Sequence, residues 1–188
     1  MARVILITGG SRSGKSAYAQ RLVEDLAGER VFVATCPVLD EEMRRRVSRH
    51  RAARARAGWQ TIEEPLALTE ALEHANQHAV VLVDCLTLWV SNVMLDADRQ
   101  GRAIGEDDIA EKCGEVLRVC RARSGKVVFV TNEVGCGVVP ENALARRFRD
   151  LAGRCNQVMA AAADEVVFVV CGLPLFVKKG QPDGNASG

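Results

Sequence analysis

The stretch RVILITGGSRSGKS, residues 3–16, decides how the rest of the chain is read. Its opening run, Arg3 to Thr8, is continuously apolar after the arginine, which is the composition of a strand covered on both faces. Gly9 to Ser16 then fits G-x-x-x-x-G-K-[ST], and a helical pattern over Lys15 to Leu26 follows it. The motif therefore stands between a strand and a helix, as a phosphate-binding loop requires. From average residue usage, a chance match in a chain of this length is on the order of 1% before that context is counted. Gly9, Gly10 and Gly14 permit a turn whose backbone N–H groups cradle phosphate oxygens, and the helix N-terminus adds its dipole. The nucleotide-binding candidates are thus Gly9, Gly10, Ser11, Arg12, Ser13, Gly14, Lys15 and Ser16. Lys15 is also the catalytic candidate, reaching the β/γ-phosphates, and Ser16 is a Mg²⁺ ligand.

Outward from this stretch the same rhythm repeats. Apolar runs at residues 30–35, 79–84, 126–131 and 165–170 read as further strands. Helix-length segments lie at Asp40 to Arg56, Leu66 to Asn76, Asp107 to Arg123 and Glu141 to Ala163. Alternating strands and helices imply an α/β fold with a doubly wound, mainly parallel sheet. The 188 residues, 48% of them hydrophobic, suffice for one domain with a full core. We expect that domain over residues 1–178 and a disordered tail over 179–188. In such a sheet ligands bind beyond the carboxyl ends of the strands. The loops starting at Gly9, Cys36, Cys85 and Asn132 should therefore share one rim, and His74 and His78, just before the third apolar run, should lie at the opposite edge.

Composition narrows the function. A formal net charge of +1 argues against a protein whose main business is coating nucleic acid. No run approaches the roughly 20 apolar residues of a membrane span, and the apolar start is too short for a signal peptide. Seven cysteines form no C-x-x-C pair, and most sit in apolar runs, as expected of reduced thiols in a cytoplasmic protein.

Three further segments carry chemistry. VVLVDC ends its apolar run on Asp84, where a P-loop protein puts the acid that sits near Mg²⁺; capping the following helix is the structural alternative. The loop TNEVGCGVVPEN, Thr131 to Asn142, reads equally well as a turn leading into a helix at Pro140 or as a substrate-binding loop. In DEEMRRRVSRHRAARARAGW, residues 40–59, helical spacing puts Met43, Val47, His50 and Arg54 on one face. That inward face starts from the rim of the P-loop.

The motifs ITGGSRSGKS, VATCPVLDEEMRRRVSRHR, VDCLTLWVSN, VTNEVGCGVVPEN and LARRFRDLAGRCNQVMAAAADEVVFVVCGLPL together resemble the bifunctional adenosylcobinamide kinase/adenosylcobinamide-phosphate guanylyltransferase family of cobalamin biosynthesis. The resemblance spans nearly the whole chain to Val177. It implies a RecA-like P-loop domain, a homotrimer, and Mg²⁺ as cofactor. Its two implied reactions are phosphorylation of adenosylcobinamide by ATP or GTP, and transfer of GMP from GTP to adenosylcobinamide phosphate. The second runs through a guanylyl-histidine, and His50 stands at that catalytic position. By the same matching Ala34, Thr35, Cys36, Arg51, Ala52, Ala53, Arg54, Glu63 and Asp84 complete the nucleotide site. Arginine suits phosphate because its planar fork binds two oxygens and keeps its charge. Two other readings stay open: a P-loop kinase of another small alcohol, and a RecA-like nucleic-acid-binding ATPase.

Overall fold

Val4–Gly9 forms strand β1, with every residue buried. Val4 and Leu6 face one side of the sheet while Ile5 and Ile7 face the other, so the run has no polar face to give to water. The computed structural model describes residues 2–37, 52 and 54–180. In chain order its elements are β1, α1 (Lys15–Glu24), β2 (Arg30–Ala34), β3 (Trp59–Glu63), α2 (Leu68–His74), β4 (Val80–Asp84), α3 (Leu86–Arg99), α4 (Glu106–Ala122), β5 (Val127–Val130), α5 (Ala143–Ala162), β6 (Glu165–Val170) and β7 (Leu173–Lys178). The strands lie in one sheet in the order β3-β2-β4-β5-β1-β6-β7. All pairs are parallel except β6 with β7. The carboxyl ends of β1 to β6 therefore share one edge, as the P-loop reading requires.

The two faces are covered unequally. One carries apolar residues of α2, α3, α4 and α5, including Leu72, Met94, Ile109, Leu117 and Met159, over Phe129 and the odd-facing valines of the strands. The other carries Ala19 and Val23 of α1 over Ile5, Ile7, Leu82 and Val128. Each fully buried Leu or Phe contributes about 1.5–3 kcal/mol relative to exposure, so this double-sided burial is what fixes the sheet. Helix ends are set locally: Asn142 accepts from the Ala145 N–H at 3.1 Å, and Asp108 accepts from the Gly105 N–H at 2.7 Å ahead of an acidic first turn. The helix after the rim loop thus begins at Ala143 behind its Asn142 cap, three positions beyond Pro140.

Some elements differ from the sequence reading. Strand β3, WQTIE, exposes Gln60 and Glu63 and buries only Trp59, so it lacks the apolar run that marks the other strands; it pairs as an edge strand against β2. Strand β7, LPLFVK, is exposed along its whole length. It is folded back by a two-residue turn in which Cys171 and Gly172 have φ 52° and 81°, the geometry of a tight hairpin. Helix α3 extends well past the DCLTLWVSN stretch to Arg99. Residues 54–56 are helical, as expected at the end of the arginine-rich segment; Val38 to Arg51, Ala53 and tail residues 181–188 lie outside the described residues. No two of the seven cysteines form a disulfide, and Cys136 and Cys171 are exposed rather than buried, because they lie on rim turns rather than inside strands or helices. Burial pushes the Cys85 and Cys120 thiols up to about 11 and about 12, which keeps them unreactive. No helix among the described residues is long and apolar enough to cross a membrane.

Candidate active site

The loop between β1 and α1 turns on backbone conformations that glycine permits. Gly9 has φ 156°, and a Cβ there would meet the Val169 carbonyl oxygen at 2.5 Å; Gly14, at φ 90°, opens α1. Helix α1 starts with no side-chain cap and no acid in its first turn, leaving its N-terminal N–H groups and positive dipole directed at the loop. Lys15 is buried, 8% exposed, and its ammonium donates to the Gly10 carbonyl at 3.1 Å. Among the described residues the buried Ser13 hydroxyl has no partner, an orphan that suits an anion cradle.

Asp84 ends β4 on the same edge. The Ser16 hydroxyl lies beside its carboxylate, and helix α3 takes no side-chain cap at its N-terminus, so the capping alternative does not hold. Burial raises the carboxyl's pKa, while the Ser16 hydrogen bond and the charges of Lys15 and Arg54 pull it down. A hydroxyl beside a carboxylate is the hard-oxygen pair that Mg²⁺ takes in combination with phosphate oxygens. Among the described residues no group of three His, Cys, Asp or Glu converges into a separate metal cage.

Arg54 arrives from the arginine-rich segment. Its guanidinium lies 3.8 Å from the Phe32 ring centroid, and Phe32 in turn meets Trp59 edge-on at 6.3 Å. Burial lowers the Arg54 pKa, and Asp84 and then Glu63 offset that. The inward placement expected from helical spacing is therefore what the fold gives, and a stacked guanidinium keeps its donors for other groups. Ala34 and Glu63 are register partners at the ends of β2 and β3. Thr35 is fully buried, its hydroxyl donating to the Cys85 carbonyl and accepting from the Cys85 N–H, both at 2.8 Å; its role is to tie β2 to β4 behind the rim. Cys36 follows with a long contact to the Pro37 carbonyl, 3.7 Å. Ala52 is exposed. His50, Arg51 and Ala53 lie outside the described residues, whereas His74 and His78 flank the amino-terminal edge of β4, away from the rim.

Two features escaped the sequence reading. The turn of the β6–β7 hairpin braces the P-loop: the Gly172 N–H donates to the Ser13 carbonyl at 2.8 Å, and Gly172 Cα lies 3.1 Å from where a Gly14 Cβ would stand. The other is a polar chain beside the loop. Glu133 accepts from the Thr8 hydroxyl at 2.8 Å and from the Asn156 amide at 3.1 Å, while Thr131 donates to Asn156 at 2.7 Å. Asn156 lies in a helix whose inner face is otherwise Leu151, Ala152, Cys155 and Met159; a polar residue beside that face is the one sequence signal for it.

Comparison with known proteins accords with this geometry. The family model described as "Cobinamide kinase / cobinamide phosphate guanyltransferase" matches residues 5–177. The "Bifunctional adenosylcobalamin biosynthesis protein CobU" of Escherichia coli is 42% identical over 183 residues, covering 93% of this chain and 99% of that one. The "Bifunctional adenosylcobalamin biosynthesis protein CobP" of Pseudomonas aeruginosa is 44% identical over 179 residues, covering 94% and 98%. Among solved structures, an ATPase from the type III secretion system of pathogenic bacteria aligns with TM-score 0.59 at 11% identity, over 93% of this chain and 56% of that one. That likeness concerns the P-loop fold alone. A P-loop backed by the Asp84 strand, on a chain matched from end to end of its sheet, belongs to the CobU family of cobinamide kinase/cobinamide phosphate guanyltransferases.

Proposed function

We propose that the chain phosphorylates adenosylcobinamide with ATP or GTP, and then transfers GMP from GTP to adenosylcobinamide phosphate through a guanylyl group on His50. The observation that carries the reading is the buried Lys15 at the mouth of α1, held on the Gly10 carbonyl with the Asp84 carboxylate and the Ser16 hydroxyl close by. In the kinase step the loop N–H groups and Lys15 hold the β- and γ-phosphates, and Lys15 offsets charge on the phosphoryl group in flight. Ser16 and Asp84 would hold Mg²⁺, which supplies charge neutralisation on those phosphates when bound.

In the second reaction an imidazole nitrogen of His50 attacks the α-phosphorus of GTP. The N–P bond forms as the bond to the bridging oxygen breaks, and its electron pair leaves with pyrophosphate. A phosphate oxygen of adenosylcobinamide phosphate then attacks the same phosphorus and frees the histidine, giving adenosylcobinamide-GDP. Splitting one displacement into two is the gain of covalent catalysis. Arg54, with Arg51 beside His50 in sequence, supplies positive charge that favours the neutral, nucleophilic imidazole. Arg54, Glu63 and Ala34 to Cys36 line the same edge as the P-loop, which supports one nucleotide site for both steps. The buried thiols of Cys85, Cys113, Cys120 and Cys155 accord with a cytoplasmic enzyme.

The test is incubation with α-labelled GTP without corrinoid. Label should join the protein in a bond stable to alkali and broken by acid. His50→Ala should lose the label and guanylyl transfer but keep kinase activity, while His74→Ala and His78→Ala keep both. Label persisting in His50→Ala overturns the assignment.

A further inference from the structure

The rim loop between β5 and α5 carries a carboxylate that neither nucleotide chemistry nor folding accounts for in full. Glu133 lies just past the carboxyl end of β5, the strand between β1 with its P-loop and β4 with Asp84. Its backbone N–H donates to the Gly9 carbonyl at 3.2 Å, one residue from the Gly10 carbonyl that holds Lys15. Its side chain is fixed through a single oxygen: Oε1 takes both the Thr8 hydroxyl and the Asn156 amide. Among the described residues Oε2 receives no hydrogen bond. Asn156 is itself anchored by the Thr131 hydroxyl and by donating to the Asn132 carbonyl at 3.0 Å, and Thr87 closes the chain by bonding Thr131 at 3.1 Å and the Asn132 N–H at 2.7 Å. A carboxylate oriented by one oxygen, with the other left over beside the phosphate loop, is the arrangement of a positioned base. Beyond it the same loop runs out to solvent, with Val138 at 94% exposure and Val139 at 59%, so the side of Glu133 away from the sheet is open to an acceptor.

We propose that Glu133 is the proton acceptor of the kinase step; the proposal rests on the kinase reading above. The hydroxyl oxygen attacks the γ-phosphorus, forming the new O–P bond as the bond to the β,γ-bridging oxygen breaks. The electron pair of the broken bond leaves on the nucleoside diphosphate. The hydroxyl proton passes to Oε2 of Glu133 and later to water. Guanylyl transfer to a ready-made phosphate monoester needs no such acceptor, because the attacking oxygen carries no proton to lose.

That asymmetry supplies the test. Glu133→Gln keeps an Oε1 acceptor for Thr8 and Asn156 but cannot take a proton. Kinase kcat should fall about 10²–10⁴-fold with KM for ATP unchanged, while guanylyl transfer to supplied adenosylcobinamide phosphate stays within about twofold of the parent. Glu133→Asp should recover at least about tenfold of the lost rate. A kinase within about threefold of the parent, or both reactions falling together, overturns the role of Glu133. If Glu133→Gln does not fold, Glu133→Asp is compared with the parent in the same two assays, and equal loss in both overturns the role. A parent that phosphorylates no adenosylcobinamide overturns the function reading itself, and with it this one.

Discussion

Lys15 shows how much of the site rests on single groups. It is buried among loop backbone, its charge answered by the Gly10 carbonyl and by its nearness to Asp84. No second lysine lies within the GGSRSGKS loop to replace it. Lys15→Ala should therefore lower cobinamide phosphorylation by at least about 10²-fold, read as kcat with labelled ATP, and should lower guanylylation too if the loop holds GTP in both reactions. Wild-type turnover in that variant would remove Lys15 from the mechanism. These positions were legible in sequence because the motif is local: residues 9–16 carry the glycines that shape their own turn. Glu133 was not, since its partners Thr8 and Asn156 lie 125 and 23 positions away, and only the sheet order brings them to it.

At the scale of elements, loops at the far edge are held as tightly as those at the rim. Arg123 is 4% exposed and closes the end of α2, donating to the carbonyls of Leu72, of Ala75 at 3.0 Å and of Asn76 at 2.6 Å. A guanidinium there satisfies the orphan carbonyls of a helix C-terminus and complements its dipole. Next to it the N–H of Gly125 donates to the Gln77 carbonyl at 2.8 Å, and a Cβ on Gly125 would stand 2.1 Å from the Ala79 carbonyl oxygen. Backbone lies on both sides of that contact, so neither can swing away. Gly125→Ala should cost about 1–3 kcal/mol or somewhat more. At about 2–4 °C per kcal/mol for a chain of this size, thermal unfolding should drop by several degrees with the P-loop chemistry retained. An unchanged midpoint would mean the loop relaxes freely.

At the scale of the whole molecule, the β7 edge of the sheet is exposed among the described residues. Strand β7 exposes Leu173 at 71%, Leu175 at 61%, Phe176 at 44% and Val177 at 66%, and among the described residues its outer backbone groups pair with no further strand. An apolar edge strand is a site for a partner chain, and a homotrimer would cover it with copies of this chain. Sedimentation should give three times the 20.4 kDa chain mass at micromolar concentration, and Leu175→Glu with Phe176→Glu should shift it towards monomer. A parent that sediments as a monomer overturns the assembly. Because β6 and β7 are joined by the turn that braces the P-loop, assembly at this edge would also steady the phosphate cradle.

The sequence by itself determined whatever is written in consecutive residues. Apolar runs became the buried strands, the glycine-rich stretch became the turn between β1 and α1, and helical spacing turned Arg54 inward. Tertiary structure alone decided what depends on partners distant in the chain. WQTIE is a strand because β2 offers it an edge; LPLFVK is a strand because two residues of positive φ fold it onto β6. Asp84 faces the P-loop rather than capping α3 because the sheet order sets β4 where Ser16 and Lys15 of α1 lie near its carboxylate. Local pattern reports backbone preference and burial, which a short window contains. The meeting of a carboxylate with a hydroxyl across the sheet depends on strand order, and no window contains that.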